Sequence, residues 1–138
     1  MSYGNANVAR YREVEVLSLS PARRLVLLYT HLLALLRQGH HAMLQDRRAD
    51  RTIKLLKAHA ILEELRFTLD HEQGGVIADS LSALYECFMG EVIQANKEGG
   101  EPARLARVIE NVAELHEAFS QAAEQLEAMM PAQAAAGA

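Results

Sequence analysis

Residues 65–96 read LRFTLDHEQGGVIADSLSALYECFMGEVIQAN. The run closes one amphipathic stretch, passes Asp70, His71 and Gly74-Gly75, and opens a second stretch at Val76. Glycine tolerates the positive φ that a helix-ending turn needs, so the pair is expected to end the connection. Ile77, Leu81, Leu84, Tyr85, Phe88, Val92 and Ala95 then recur at helical spacing. This predicts a helix over 76–97 with those residues inward. Gly90 lowers helix propensity within it, so close packing is expected there. The stretch reads as a helical hairpin with an apolar face, and nothing in it resembles an active site.

Upstream, a helix is expected over 51–69, capped by Asp50 after the turn 46–50. Ile53, Leu56, Ala60 and Leu65 fall near one face of it, with Leu55, Leu62 and Leu69 displaced to the side. Before that, Ser20-Pro21 is a helix start: the serine can cap orphan N–H groups and proline suits the first turn. The helix from 21 to 45 carries Leu25, Val26, Leu28, Tyr29, Leu32, Leu33, Leu35 and Leu36, interrupted at Gly39. A stripe that wide implies burial against more than one neighbour. Downstream, Glu98-Gly99-Gly100 is a turn. Glu101-Pro102 opens a helix reaching 130, with Leu105, Val108, Ile109, Val112, Leu115, Phe119, Ala122 and Leu126 at helical spacing, and Pro131 stops it.

No strand signal competes. The expected fold is all-α: an antiparallel up-down four-helix bundle over 18–130. A short flexible arm over 1–17, able to form an extra helical segment, precedes it. Tyr11, Val14, Val16 and Leu17 give that arm something to dock with. A disordered Ala-rich tail over 131–138 follows.

Composition agrees. The chain's 138 residues suit one domain that buries about two-thirds of its unfolded surface. Half the residues are apolar and 23% are charged, which favours a soluble globule, while 5% aromatics and no Trp leave a helical palette. The longest apolar run, Leu25 to Leu36 broken by Thr30 and His31, is too short for the ~20 residues a membrane-spanning helix needs. The N-terminus has no secretory pattern, and the single Cys87 excludes an internal disulfide, so a cytoplasmic protein is expected. Charge is lopsided. Residues 1–60 hold ten Lys/Arg against four Asp/Glu; residues 61–138 hold four against fourteen. The basic cluster around Arg47, Arg48, Arg51, Lys54 and Lys57 could touch phosphates. It has no interleaved aromatic to stack on bases, so a solvated helix start is preferred and no nucleic-acid partner is expected.

Catalytic constellations are missing. No histidine has a glutamate three residues before it, as a di-iron bundle requires, and the zinc-protease spacing is absent. His40 and His41 point about 100° apart on a helix and cannot easily share a metal. None of His31, His40, His41, His59, His71 and His116 has the Lys and Gly sequel of a phosphotransfer bundle. Cys87, beside Glu86, is expected to be an inert, partly buried thiol. The glycine pairs lack phosphate-loop patterns. The expectation is no enzyme, no metal and no cofactor.

Surplus apolarity remains. The first helix is apolar over a wide arc, and Leu62, Leu69 and Ile93 are displaced from the main stripes of their helices. Such a surplus implies a groove for another chain. Equally, these residues could simply close the core of a small bundle.

Several motifs together resemble the FliS family of flagellar export chaperones. They are Tyr11, Val16, Ser20-Pro21, Leu28-Tyr29, Lys57-Ala58, Ile61-Leu62-Glu63-Glu64-Leu65, Leu69-Asp70, Gly74-Gly75, Leu81, Leu84-Tyr85 and Ala95-Asn96. They span about residues 10 to 120 in the family's order. The chain departs at Thr30-His31, where the family usually has Asp after the first Leu-Tyr, at Arg24, and at Phe119, near the family's usual Trp. The resemblance implies a cytosolic bundle that binds the disordered C-terminal segment of flagellin, prevents premature polymerisation and delivers it for export. An export-gate component and a regulatory factor are implied as further partners. The N-terminal arm would cover the binding surface when no client is present, making Tyr11 a removable plug.

The client-binding residues expected on this basis are Tyr11, Leu65, Leu69, Leu81, Leu84, Tyr85, Ile93 and Asn96. Core packing is the competing reading for Leu84 and Tyr85, whereas it needs neither Tyr11 nor Asn96. Two other functions stay open. One is a signalling bundle that passes phosphate through a histidine. The other is a dimerising bundle that buries its surplus in a second copy, so the chain is expected as a monomer or homodimer.

Overall fold

A computed structural model describes residues 8–10 and 19–129. The described part is all-helical, with no strand among the described residues. Residues 8–10 are helical, and four long helices follow: α1 (Pro21–Leu44), α2 (Arg48–Phe67), α3 (His71–Ala95) and α4 (Pro102–Met129). Otherwise the arm expected over 1–17, with Tyr11, and the tail over 131–138 lie outside the described residues.

Local chemistry sets the helix starts. At α1 the Ser20 hydroxyl accepts from the Arg23 backbone N–H at 3.2 Å, the cap expected of it. At α2 the expected cap is corrected. The helix restarts at Arg48, Arg47 stands at the cap position without a side-chain cap bond, and Asp50 lies inside the first turn. Asp46, at φ 55°, turns the chain within two residues of α1, leaving Asp50 no orphan N–H ahead of it. Asp50 there still favours the positive helix end.

The largest boundary correction concerns α3. Asp70 caps it, its Oδ1 accepting from the Glu72 and Gln73 N–H groups at 3.1 Å each. The helix therefore opens at His71, upstream of the glycine pair. Gly75, at φ 51° and ψ −124°, is a break inside the helix instead of the end of the connection. That conformation is closed to residues with a Cβ.

Residues 28–115 form one compact unit. Its core is Tyr29, Leu32, Leu33 and Leu36 of α1, Leu55, Ala58, Leu62 and Leu65 of α2, Ala78, Tyr85, Phe88, Met89, Val92 and Ala95 of α3, and Leu105, Val108 and Val112 of α4. The hydroxyls of Tyr29 and Tyr85 meet in a buried hydrogen bond that ties α1 to α3. Burial first, and the bond to Tyr85 second, push the Tyr29 hydroxyl far above the usual phenol range, so both stay protonated. Gly39 lets α2 approach α1 closely: a Cβ built on it would lie 2.6 Å from Leu55 Cδ2. α2 and α3 run antiparallel, with Arg51 and Thr52 opposite Asn96 and Arg66 opposite Glu86.

The described residues up to 27, together with 116–129, belong to the second unit. There Ala123 is buried, one position from the expected Ala122, and Leu126 is half exposed. Arg23 grips Glu127 through two bonds, 2.6 and 2.9 Å long. Hydrogen bonding to the guanidinium holds the Glu127 carboxyl below the usual range.

Three packing expectations are overturned. Ile77, expected inward, is 72% exposed, because the break at Gly75 lies two residues before it. Gly90, expected to pack closely, has open space where a Cβ would stand. Cys87 is exposed, since the residue before buried Phe88 falls on the outer face of α3.

Candidate functional site

α2 carries two apolar stripes. Leu55, Ala58, Leu62 and Leu65 make one, and all four are buried. Ile53, Leu56, Ala60 and Phe67 make the other; at 100° per residue they fall within about 60° of one another. A single face holding Ile53, Leu56, Ala60 and Leu65 was expected, with Leu55, Leu62 and Leu69 to its side. Instead Ile53 is 50%, Leu56 59% and Phe67 90% exposed, and Ala60 is exposed too. From Ile53 to Phe67 the stripe runs about 21 Å along the helix axis.

α3 extends this face. Ile93 is 48% exposed beside it. Leu55, Leu56 and His59 of α2 with Val92, Ile93, Asn96 and Lys97 line a cleft of about 260 Å³. Asn96 stands at the C-cap of α3 and closes one end. Its Oδ1 accepts from Thr52 Oγ1 at 3.1 Å and from Arg51 Nε at 3.3 Å, and its backbone carbonyl accepts from the same guanidinium at 3.1 Å. Holding the amide oxygen fixes the side-chain plane and leaves the amide N–H₂ as the group able to donate outward.

The structure sorts the other expected site residues. Leu65 and Tyr85 belong to the core, 1% exposed each, with Tyr85 bonded to Tyr29. Leu69, Leu81 and Leu84 are half-buried. Leu81 lies twelve residues from Ile93 on the same helix. That is about 18 Å along the axis. Ile93 and Asn96 thus share a cleft, and the three leucines are elsewhere. Tyr11 lies outside the described residues. Leu56, Ile53, His59 and Lys97 escape the sequence reading as site residues. The spacing of 53, 56, 60 and 67 was the available signal, but periodicity alone does not say which of two stripes faces in.

A second cavity, about 300 Å³, opens between Cys87, Phe88 and Glu91 of α3 and Arg104, Arg107, Val108 and Asn111 of α4. Arg104 donates to both Glu91 oxygens, at 2.8 and 2.9 Å, and this bonding holds the Glu91 carboxyl below its usual range. His71 Nδ1 lies 2.9 Å from Asp79 Oδ1, and His59 Nδ1 lies 4.0 Å from Glu63. Among the described residues, no group of three or more His, Cys, Asp or Glu could hold a metal ion. No described helix is long and apolar enough to cross a membrane.

The model of the family described as flagellar protein FliS matches residues 3–126. The flagellar secretion chaperone FliS of Vibrio cholerae is 34% identical over 102 residues, covering 74% of this chain and 74% of that protein. The flagellar secretion chaperone FliSB of Pseudomonas aeruginosa is 34% identical over 84 residues, covering 61% of this chain and 67% of that protein. The matched span takes in nearly all of α1–α4, and the chain belongs to the FliS family of flagellar proteins.

Proposed function

We propose that this chain is a flagellar export chaperone that holds the C-terminal segment of flagellin on the outer face of the α2–α3 hairpin. The observation that carries the reading is the exposed stripe of Ile53, Leu56, Ala60 and Phe67 beside Ile93. Large side chains at helical spacing, left in water along one face, fit the apolar side of an amphipathic helix. Asn96, its amide oxygen held by Thr52 and Arg51, donates its N–H₂ to client backbone at the end of the cleft. Leu69, Leu81 and Leu84 contact a more extended part of the client, while Leu65 and Tyr85 support the surface from beneath. The N-terminal arm over 1–17 covers the face of the 18–130 bundle through Tyr11 until a client displaces it.

The chaperone works in the cytoplasm, by binding and without chemistry. Covering the client's apolar face prevents its self-assembly. An export-gate component and a regulatory factor are its further partners. Ordering a disordered segment costs about 2–5 kcal/mol, so the contact must be extensive. Calorimetric titration with the C-terminal segment of the flagellin from the same organism tests this. A one-to-one isotherm with a gain of helix by circular dichroism is expected; a flat trace from folded protein refutes it.

A further inference from the structure

We propose that Arg51 is a positioning residue for client binding. It turns the Asn96 side chain so that the amide N–H₂, and not the oxygen, meets a main-chain carbonyl of the client. This deepens the chaperone reading and rests on it. A primary amide carries an acceptor at one corner and donors at the other. Which corner is free decides what the end of the cleft accepts. Arg51 makes that choice, because a guanidinium donates and never accepts. Its Nε lies 3.3 Å from Asn96 Oδ1, so the corner it faces is the oxygen. Thr52 Oγ1 lies 3.1 Å from the same oxygen. A hydroxyl both donates and accepts, so Thr52 would hold either corner. Arg51 sets the orientation and Thr52 follows it.

A second bond makes the setting firm. Arg51 also donates to the Asn96 backbone carbonyl, at 3.1 Å. That carbonyl belongs to the C-cap of α3, where helix carbonyls run out of partners within the helix. One planar group thus holds both the main chain and the side chain of Asn96. The Asn96 N–H₂ is left with no hydrogen bond among the described residues.

The cleft supplies the reason a carbonyl is needed there. Leu55, Leu56, Val92 and Ile93 give it an apolar wall, and Lys97 beside Asn96 adds only a donor. An apolar client stretch laid against that wall brings a carbonyl with every residue. A carbonyl covered there without a partner would weaken binding. The free N–H₂ of Asn96 is that partner. With the amide reversed, an oxygen would face the client carbonyl instead.

The test compares Asn96→Ala, Asn96→Asp and Arg51→Met by thermal melting and by calorimetric titration with the flagellin C-terminal segment. Asn96→Ala should weaken binding about 3- to 10-fold, the loss of one hydrogen bond. Asn96→Asp keeps the shape and the oxygen that Arg51 holds, so it should melt close to wild type. It nevertheless turns a second oxygen to the client, and should bind about tenfold more weakly than Asn96→Ala. A side chain that merely packs would give the reverse order, because aspartate is nearly isosteric with asparagine. Arg51→Met frees the amide to turn and should weaken binding about threefold or more, while Arg51→Lys, still only a donor, should recover part of the loss. In the Asn96→Ala background Arg51→Met should have a much smaller effect, since its action runs through Asn96. Binding by Asn96→Asp as tight as by Asn96→Ala, or an undiminished Arg51→Met effect without Asn96, would overturn the proposal and leave the chaperone reading intact. Absence of wild-type binding would overturn both.

Discussion

Leu56 and Leu62 lie on the same helix, six residues apart, yet one faces water and the other the core. Leu56 is 59% exposed and Leu62 is 0% exposed. Fully burying a leucine is worth about 1.5–3 kcal/mol. More than half of that remains to be gained at Leu56 when a client covers it. Leu56→Ala should therefore cost about 1–2 kcal/mol of binding, raising Kd roughly 5- to 30-fold. The stability of the free protein should fall by less than about 1 kcal/mol, since little burial is lost and alanine is the better helix former. Leu62→Ala removes a core side chain and should cost about 2–5 kcal/mol of stability. Once folded, it should bind the client nearly as wild type does. Urea unfolding gives one axis and calorimetry with the flagellin C-terminal segment gives the other. An unchanged Kd in Leu56→Ala, with the client bound by wild type, would refute the placement of the client on this stripe.

Further predictions follow from packing and charge. Gly39→Ala should destabilise by about 1–3 kcal/mol in urea despite alanine's helix preference, because the new methyl meets Leu55. Tyr29→Phe leaves the buried Tyr85 hydroxyl without its partner and should cost about 1–3 kcal/mol; Tyr29→Phe with Tyr85→Phe should recover part of that. Glu91 and Glu127 have depressed carboxyl pKa values in the folded protein, through Arg104 and Arg23. Each pair therefore stabilises fully above the unfolded carboxylate range and loses its effect as pH falls through the depressed value. Both pairs face solvent, so the effect should be small and screened by salt. Urea midpoints measured from pH 7 down to pH 3 should fall less steeply for Glu91→Gln than for wild type.

The helices are legible in the sequence because their apolar spacing, Ser20-Pro21 and Glu101-Pro102 all agree. What is less legible is orientation. α2 has leucines on both faces, and Ile53-Leu56-Ala60 matches helical spacing as well as Leu55-Leu62 does. Only packing against Gly39 and Asn96 decides between them. Similarly, Gly74-Gly75 reads as a terminator, but Asp70 already caps a helix, so the glycines become a break within it and leave Ile77 in solvent. Of the candidate site, Asn96 is legible because a core has no use for it, and Ile93 because it is displaced from its stripe. Leu65 and Tyr85 are apolar in the right register, which suits a core and a groove equally, and the tertiary fold spends them on the core. Gly90 reads as a packing glycine until the structure shows empty space above it.

The proposed function places the client on the outer face of α2 and α3. Methyl chemical-shift mapping of the intact protein, titrated with the flagellin C-terminal segment, tests it most directly. The largest shifts are expected at Ile53, Leu56, Ala60 and Ile93, with Leu33, Leu62 and Val112 nearly unmoved. Saturable binding whose shifts cluster away from the α2–α3 face would contradict it.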